Sequence, residues 1–149
     1  MRQRFTDEMK QAMKSGDKAR TSTIRMIIAA LKEKDIDARG AGKETATDEE
    51  ILALLQKMVK QRNESADIYM QGGRPELAEQ ERHEVEIISS FLPKQMDEAE
   101  MKAAIASAIS EVNASSIKEM GKVIGLLKDK YAGQMDFAKA SALVKTMLA

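Results

Sequence analysis

Apolar residues recur along this chain at intervals of three and four with few interruptions. No stretch alternates with period two in Val, Thr and aromatic residues, so the pattern predicts helices throughout and no strands. The first helix spans about residues 3 to 14, with Phe5, Met9, Ala12 and Met13 on one face and Ser15-Gly16 closing it. Asp17 caps a second helix, 17 to 38, which turns Ile24, Ile27, Ile28 and Leu31 inward and ends before Gly40-Ala41-Gly42. Thr47 followed by Glu50 is a capping box, in which each side chain satisfies an unpaired backbone N–H, so a third helix starts there and runs to Gln71. Its stripe is Ile51, Leu54, Leu55, Met58, Ala66 and Tyr69. Gly72-Gly73 breaks it, and Pro75 suits the first turn of a fourth helix carrying Leu77, Val85, Ile88 and Leu92.

Leu92-Pro93 ends the fourth helix, because a residue before proline is pushed out of helical geometry. Asp97 with Glu100 then signals a new capped start. The domain boundary is therefore placed here, with an N-terminal helical bundle over 1–93 and a three-helix domain over 94–149. The later helices are expected at 97 to 113 (Met101, Ile105, Ala108, Val112), 116 to 131 (Met120, Ile124, Leu127, Tyr131) and 136 to 148. Ser116 with Glu119 caps the second of these, Gly133 stops it, and Asp136 caps the third. The fold class read from this is all-α, four helices followed by three. A C-terminal unit of this length is near the small end for independent folding.

Composition narrows the class. Hydrophobic residues make up 43% and charged residues 32% of 149, the balance of a folded chain. Cysteine is absent, which excludes disulfides, thiolate metal sites and a cysteine nucleophile and fits a reducing compartment, read here as the cytoplasm. Neither the N-terminal residues nor any later stretch has the apolar run of a signal peptide or membrane span, so no membrane partner is expected. Lys plus Arg equals Asp plus Glu at 24 each, so attraction for a nucleic acid would have to come from a local patch.

Several candidate chemistries fail on inspection. In His83-Glu84-Val85-Glu86-Ile87 an isoleucine stands where a zinc-protease motif needs its second histidine, and His83 is the only histidine; no metal role is assigned. Gly40-Ala41-Gly42-Lys43-Glu44 misses a phosphate loop at both defining positions, Asp37 for Gly and Glu44 for Ser or Thr, and reads as a polar interhelix loop. Paired carboxylates on amphipathic helices lack the unlike environments that acid–base catalysis needs. No catalytic residue and no cofactor is expected. Arg62 and Glu81 each interrupt an apolar stripe at similar heights on either side of the Gly72-Gly73 turn, which predicts an ion pair of Arg62 with Glu81 or Glu84, since a buried charge left alone is costly. The eleven methionines are read as gap-filling core residues, as at Met9, Met58, Met101 and Met120.

The most informative segment runs from Ser116 to Lys130. Gly121 and Gly125 lie within the expected helix, where each costs about 1 kcal/mol relative to Ala. Their spacing puts both on one face with Lys128, flanked by Lys118 and Lys122, so something approaches closely there. Tight packing against another helix is one account. The other is a sugar-phosphate backbone lying in the notch while Lys118, Lys122, Lys128 and Lys130 neutralise phosphates. From residue 116 onward six lysines face Glu119, Asp129 and Asp136, a modest excess of positive charge.

At these residues the chain resembles the GatB/YqeY family, through Met120-Gly121-Lys122-Val123-Ile124-Gly125, Met9-Lys10-Gln11-Ala12-Met13-Lys14, Lys60-Gln61-Arg62-Asn63-Glu64-Ser65, Gly73-Arg74-Pro75-Glu76-Leu77 and Phe91-Leu92-Pro93-Lys94-Gln95. Ile124 stands where Met is more usual. That domain forms the tail of the B subunit of glutamine-dependent Asp-tRNA/Glu-tRNA amidotransferase, and it also occurs as a stand-alone bacterial protein. The resemblance implies a four-helix domain followed by a three-helix one, and contact with tRNA or a tRNA-processing complex in translation. It does not carry over the carbon–nitrogen ligase activity, because the amidotransferase transfers ammonia in other domains. A protein–protein adaptor docking a partner helix, or a component of an amidotransferase whose active site lies on another subunit, are the competing expectations.

Overall fold

The protein is described by a computed structural model covering residues 1–149. It contains seven α-helices and one short 3-10 helix, with no strand: α1 Arg2–Ser15, α2 Lys18–Gly40, α3 Asp48–Gln71, α4 Pro75–Ser89, α5 Glu98–Glu111, the 3-10 turn Ile117–Glu119, α6 Met120–Tyr131 and α7 Phe137–Leu148. The chain falls into two compact units, Met1–Leu92 and Pro93–Ala149.

Local signals explain most boundaries. Gly16 adopts φ 76°, the left-handed conformation that costs glycine nothing, which lets the amide of Asp17 reach back to the Ala12 carbonyl at 2.9 Å and closes α1. Asp17 then accepts a hydrogen bond from the Arg20 amide and starts α2. Thr47–Glu50 and Asp97–Glu100 are complete capping boxes, and Pro75 occupies the first turn of α4.

In the first unit α3 and α4 form the closest pair, and α2 packs on α1 and α4. The core gathers Phe5, Ile24, Ile27, Leu31, Ile51, Leu55, Ile88 and Phe91. Phe5 meets Phe91 edge to face at 4.9 Å between centroids, and Arg4 and Arg20 lie over the same Phe91 ring at 4.8 and 5.7 Å. Glu8 accepts from both arginines at 2.6 Å.

Two expectations change here, and one loop gains definition. Met13 is 52% exposed rather than inward, because α1 packs through Phe5 and Ala12. On α4 the buried residues are Ala78, Ile87 and Ile88, while Leu77 and Val85 are half-buried. The loop at 41–47 is tied down: Arg2 forks onto Asp35 at 2.7 and 2.8 Å and donates to the Ala46 carbonyl, and the Ala46 amide donates to Asp35 at 2.9 Å. Arg2 and the Ala46 amide hold the Asp35 carboxyl down at about 2.

The pair expected at Arg62 is made with Glu84, Nε to Oε2 at 3.2 Å, both side chains about 15% exposed. Arg62 also donates to the Met58 carbonyl at 3.2 Å and stands 3.5 Å from Met26 Sδ, so one side chain touches α2, α3 and α4. Burial, with the Glu84 charge beside it, pushes the Glu81 carboxyl up. This is a register-setting tie between helices.

The second unit is held by aliphatic side chains: Met101, Ile105 and Ala108 of α5, Val123 and Leu127 of α6, Met135, and Ala140, Val144 and Leu148 of α7. The approach to α5 is fixed by hydrogen bonds to backbone carbonyls, from the Met96 amide to Gln134 at 2.7 Å and from the Gln95 side-chain Nε2 to Gly133 at 2.5 Å.

Candidate nucleic-acid interface

The segment carrying the candidate residues begins where α5 ends. Asn113 takes a positive φ of 53°, a conformation asparagine tolerates, and the Ala114 amide returns to the Ile109 carbonyl at 3.0 Å. The expected Ser116–Glu119 capping box does not form. Glu119 instead turns back and accepts from the amide and the hydroxyl of Ser115, both at 3.2 Å. With its carboxylate used one residue earlier, Ile117–Glu119 tightens into a 3-10 turn and α6 starts only at Met120. Gly121 therefore lies in the first turn of α6, where glycine is less costly than in the interior, and Gly125 alone is a true interior glycine.

Val123 and Leu127 are fully buried and Met120, Ile124 and Tyr131 half-buried, so α6 is anchored by one stripe. The glycines stand off it. Both are exposed, and a Cβ added to Gly121 or Gly125 would meet no heavy atom within 4 Å. Packing against a neighbouring helix of this unit is thus not what these glycines are for. Lys118, Lys122 and Lys128 are exposed on the same side, and Lys128 Nζ lies 6.0 Å from the ring centre of Phe137. Lys130 does not join them. It is directed to Glu111 at 2.7 Å, and that bond raises its pKa.

Asp129, four residues after Gly125 and also exposed, brings a negative charge to the lysine face. The helical period that groups the glycines would have placed it. The Lys130–Glu111 pair joins residues 19 apart, for which the sequence carries no local signal. The surface is therefore an open shelf of glycine backbone edged by three lysines and one aspartate. No group of three or more His, Asp or Glu side chains is placed to hold a metal ion. His83 is half exposed beside Glu86 on α4. No helix is long and apolar enough to cross a membrane.

A family model described as Yqey-like protein matches residues 2–148. The chain belongs to the Yqey-like family. Yeast relatives of this Yqey-like chain carry the name "Altered inheritance of mitochondria protein 41, mitochondrial". The one from Lachancea thermotolerans is 29% identical over 144 residues, covering 95% of this chain and 75% of the relative. That from Clavispora lusitaniae is 32% identical over 145 residues, covering 95% and 81%. A third, from Vanderwaltozyma polyspora, is 34% identical over 86 residues, covering 57% and 44%. These relatives correct two expectations: they are fungal and named as mitochondrial, which overturns the bacterial and cytoplasmic readings. The error has a physical source, since a chain without cysteine reports only that disulfides are not needed, a condition met in more than one compartment.

Proposed function

We propose that this Yqey-like protein is a non-catalytic tRNA-binding accessory protein, in the mitochondrial setting for which its yeast relatives are named. The observation that carries the reading is the open glycine shelf. Gly121 and Gly125 have nothing against them, and Lys118, Lys122 and Lys128 stand around them without a carboxylate partner. Glycine at these positions lets a sugar-phosphate backbone approach the helix closely, and the lysines neutralise phosphates without reading sequence. Lys130 contributes charge at the edge rather than a direct contact. A four-helix domain followed by a separate three-helix domain, the latter presenting the shelf, is the architecture that goes with this reading.

Binding of bulk tRNA across a salt series is the test. Phosphate neutralisation makes affinity fall steeply as salt rises, and Lys122→Glu weakens binding by about tenfold at low salt. Absence of wild-type affinity at low salt ends the proposal. A second reading, a surface that docks a partner helix, is favoured by Asp129 on the lysine face and by the Lys130–Glu111 pair, which both reduce the local positive charge. That docking would be nearly insensitive to salt.

A further inference from the structure

The first unit carries a denser run of positive charge than α6, and the shelf makes no use of it. Between residues 9 and 32 stand Lys10, Lys14, Lys18, Arg20, Arg25 and Lys32 against a single acid, Asp17, in a chain of zero net charge. Asp17 is engaged as the cap of α2. Arg2, Arg4, Arg20, Lys43 and Arg62 of this unit each meet a carboxylate, whereas within residues 9 to 32 Lys10, Lys14, Lys18, Arg25 and Lys32 meet none. Arg25 lies only against the sulfur of Met13, at 4.0 Å.

Helical spacing lines up the free ones. Lys18, Ser22, Arg25, Ala29 and Lys32 fall on one face of α2, and all five are exposed. Cations thus recur every two turns, about 10 Å along the axis, with small side chains between them. Lys14 and Lys18 flank the turn that joins α1 to α2, and a hollow of about 290 Å³, lined by Lys18, Ser22 and Arg25 together with Met13 and the capping Asp17, opens beside the stripe.

The chemistry selects the occupant. A row of unneutralised cations on a rigid helix fits a polyanion. An anionic bilayer would want a row of bulky apolar side chains to bury alongside the charges, whereas Met13 beside the turn and Ile36 at the far end of the stripe are the large apolar side chains exposed there, with Ser22 and Ala29 between the cations. Splayed RNA bases need aromatic platforms, yet Phe5 and Phe91 are buried and Tyr69 lies on α3. What remains is the outside of a double-helical stem.

We propose that the α1–α2 hairpin is a second RNA surface, which grips the phosphate backbone of a duplex stem through Lys14, Lys18, Arg25 and Lys32 without reading its sequence. This rests on the reading of the chain as an RNA binder but on residues separate from the α6 shelf.

The test uses the full-length protein and a fluorescently labelled RNA stem-loop, titrated by anisotropy over a salt series. Lys18→Glu/Arg25→Glu lowers affinity about tenfold or more at low salt and reduces the salt slope by about 2. Lys18→Gln/Arg25→Gln does the same more mildly, and Lys60→Glu/Arg82→Glu, an equal charge change on exposed positions of α3 and α4, leaves both unchanged. Wild-type behaviour of the Lys18/Arg25 variants overturns the hairpin surface, as does an equal loss in the Lys60/Arg82 control. Tighter binding to anionic vesicles than to the stem-loop overturns it in favour of a membrane. If Lys122→Glu binds normally while Lys18→Glu/Arg25→Glu does not, the hairpin stands and the α6 shelf falls; with the opposite pattern the shelf stands and the hairpin falls. No binding by wild type removes both.

Discussion

The two units use charge differently. In Met1–Leu92 arginines reach across elements: Arg2 to Asp35 and the 41–47 loop, Arg20 to Glu8, and Arg62 to Glu84 while touching Met26 and Met58. In Pro93–Ala149 helix meets helix through Ile105, Val123, Leu127 and Val144, and the interhelical ion pair is the exposed Lys130–Glu111. Arginine's planar fork can satisfy two acceptors while setting the height of one helix against the next, a task a flexible lysine performs poorly. Hence Arg2, Arg4, Arg20 and Arg62 are engaged inside the first unit, and Arg25 with lysines of both units is left facing solvent, where a polyanion can use them.

The contrast is sharpest in the second core. Leu127 is fully buried, so Leu127→Ala should destabilise α5–α7 by about 3 kcal/mol, read as faster amide exchange in those helices. A loss below about 1 kcal/mol would mean that this core carries less of the unit than its burial implies. Arg62→Ala should cost the first unit about 2 kcal/mol, because Glu84 is left half-buried without its partner and Glu81 stays beside it. Denaturant unfolding checks this, and a neutral result would reduce the cross-helix tie to decoration.

A third effect is visible only with pH. Asp35 is held at about 2, below its ordinary 3.8, so its folded form favours the carboxylate. The stability it contributes is present above about pH 4 and lost as pH falls toward about 2. Asp35→Asn should lower the melting temperature at neutral pH and remove part of the wild-type decline across that window. Unchanged pH dependence in the variant would show that Arg2 does not hold Asp35 in solution.

Much of this architecture is legible from sequence because its signals are local. Thr47 with Glu50, Asp97 with Glu100, Asp17 after Gly16 and Pro75 after Gly73 each fix an end within four residues. The Arg62 pair is also legible, since a turn near Gly72 sets its height against Glu84. The start of α6 is not. Ser116 and Glu119 satisfy the capping pattern, but Ser115 competes for the same carboxylate and wins. Arg2 and Asp35 lie 33 residues apart with no periodicity to join them, and Met13 is spaced for a core that α1 does not present to it. At the candidate site the glycine–lysine face follows from helical period, while the removal of Lys130 from it depends on where α5 lies.

Gly125 offers the most direct measurement. A methyl there meets nothing within 4 Å, so Gly125→Ala should stabilise the free protein by about 1 kcal/mol through helix propensity alone. If the shelf receives an RNA backbone, the same methyl stands in the way, and tRNA affinity should fall while the melting temperature rises. A variant that is more stable and binds tRNA as tightly as wild type would contradict an RNA backbone seated on α6.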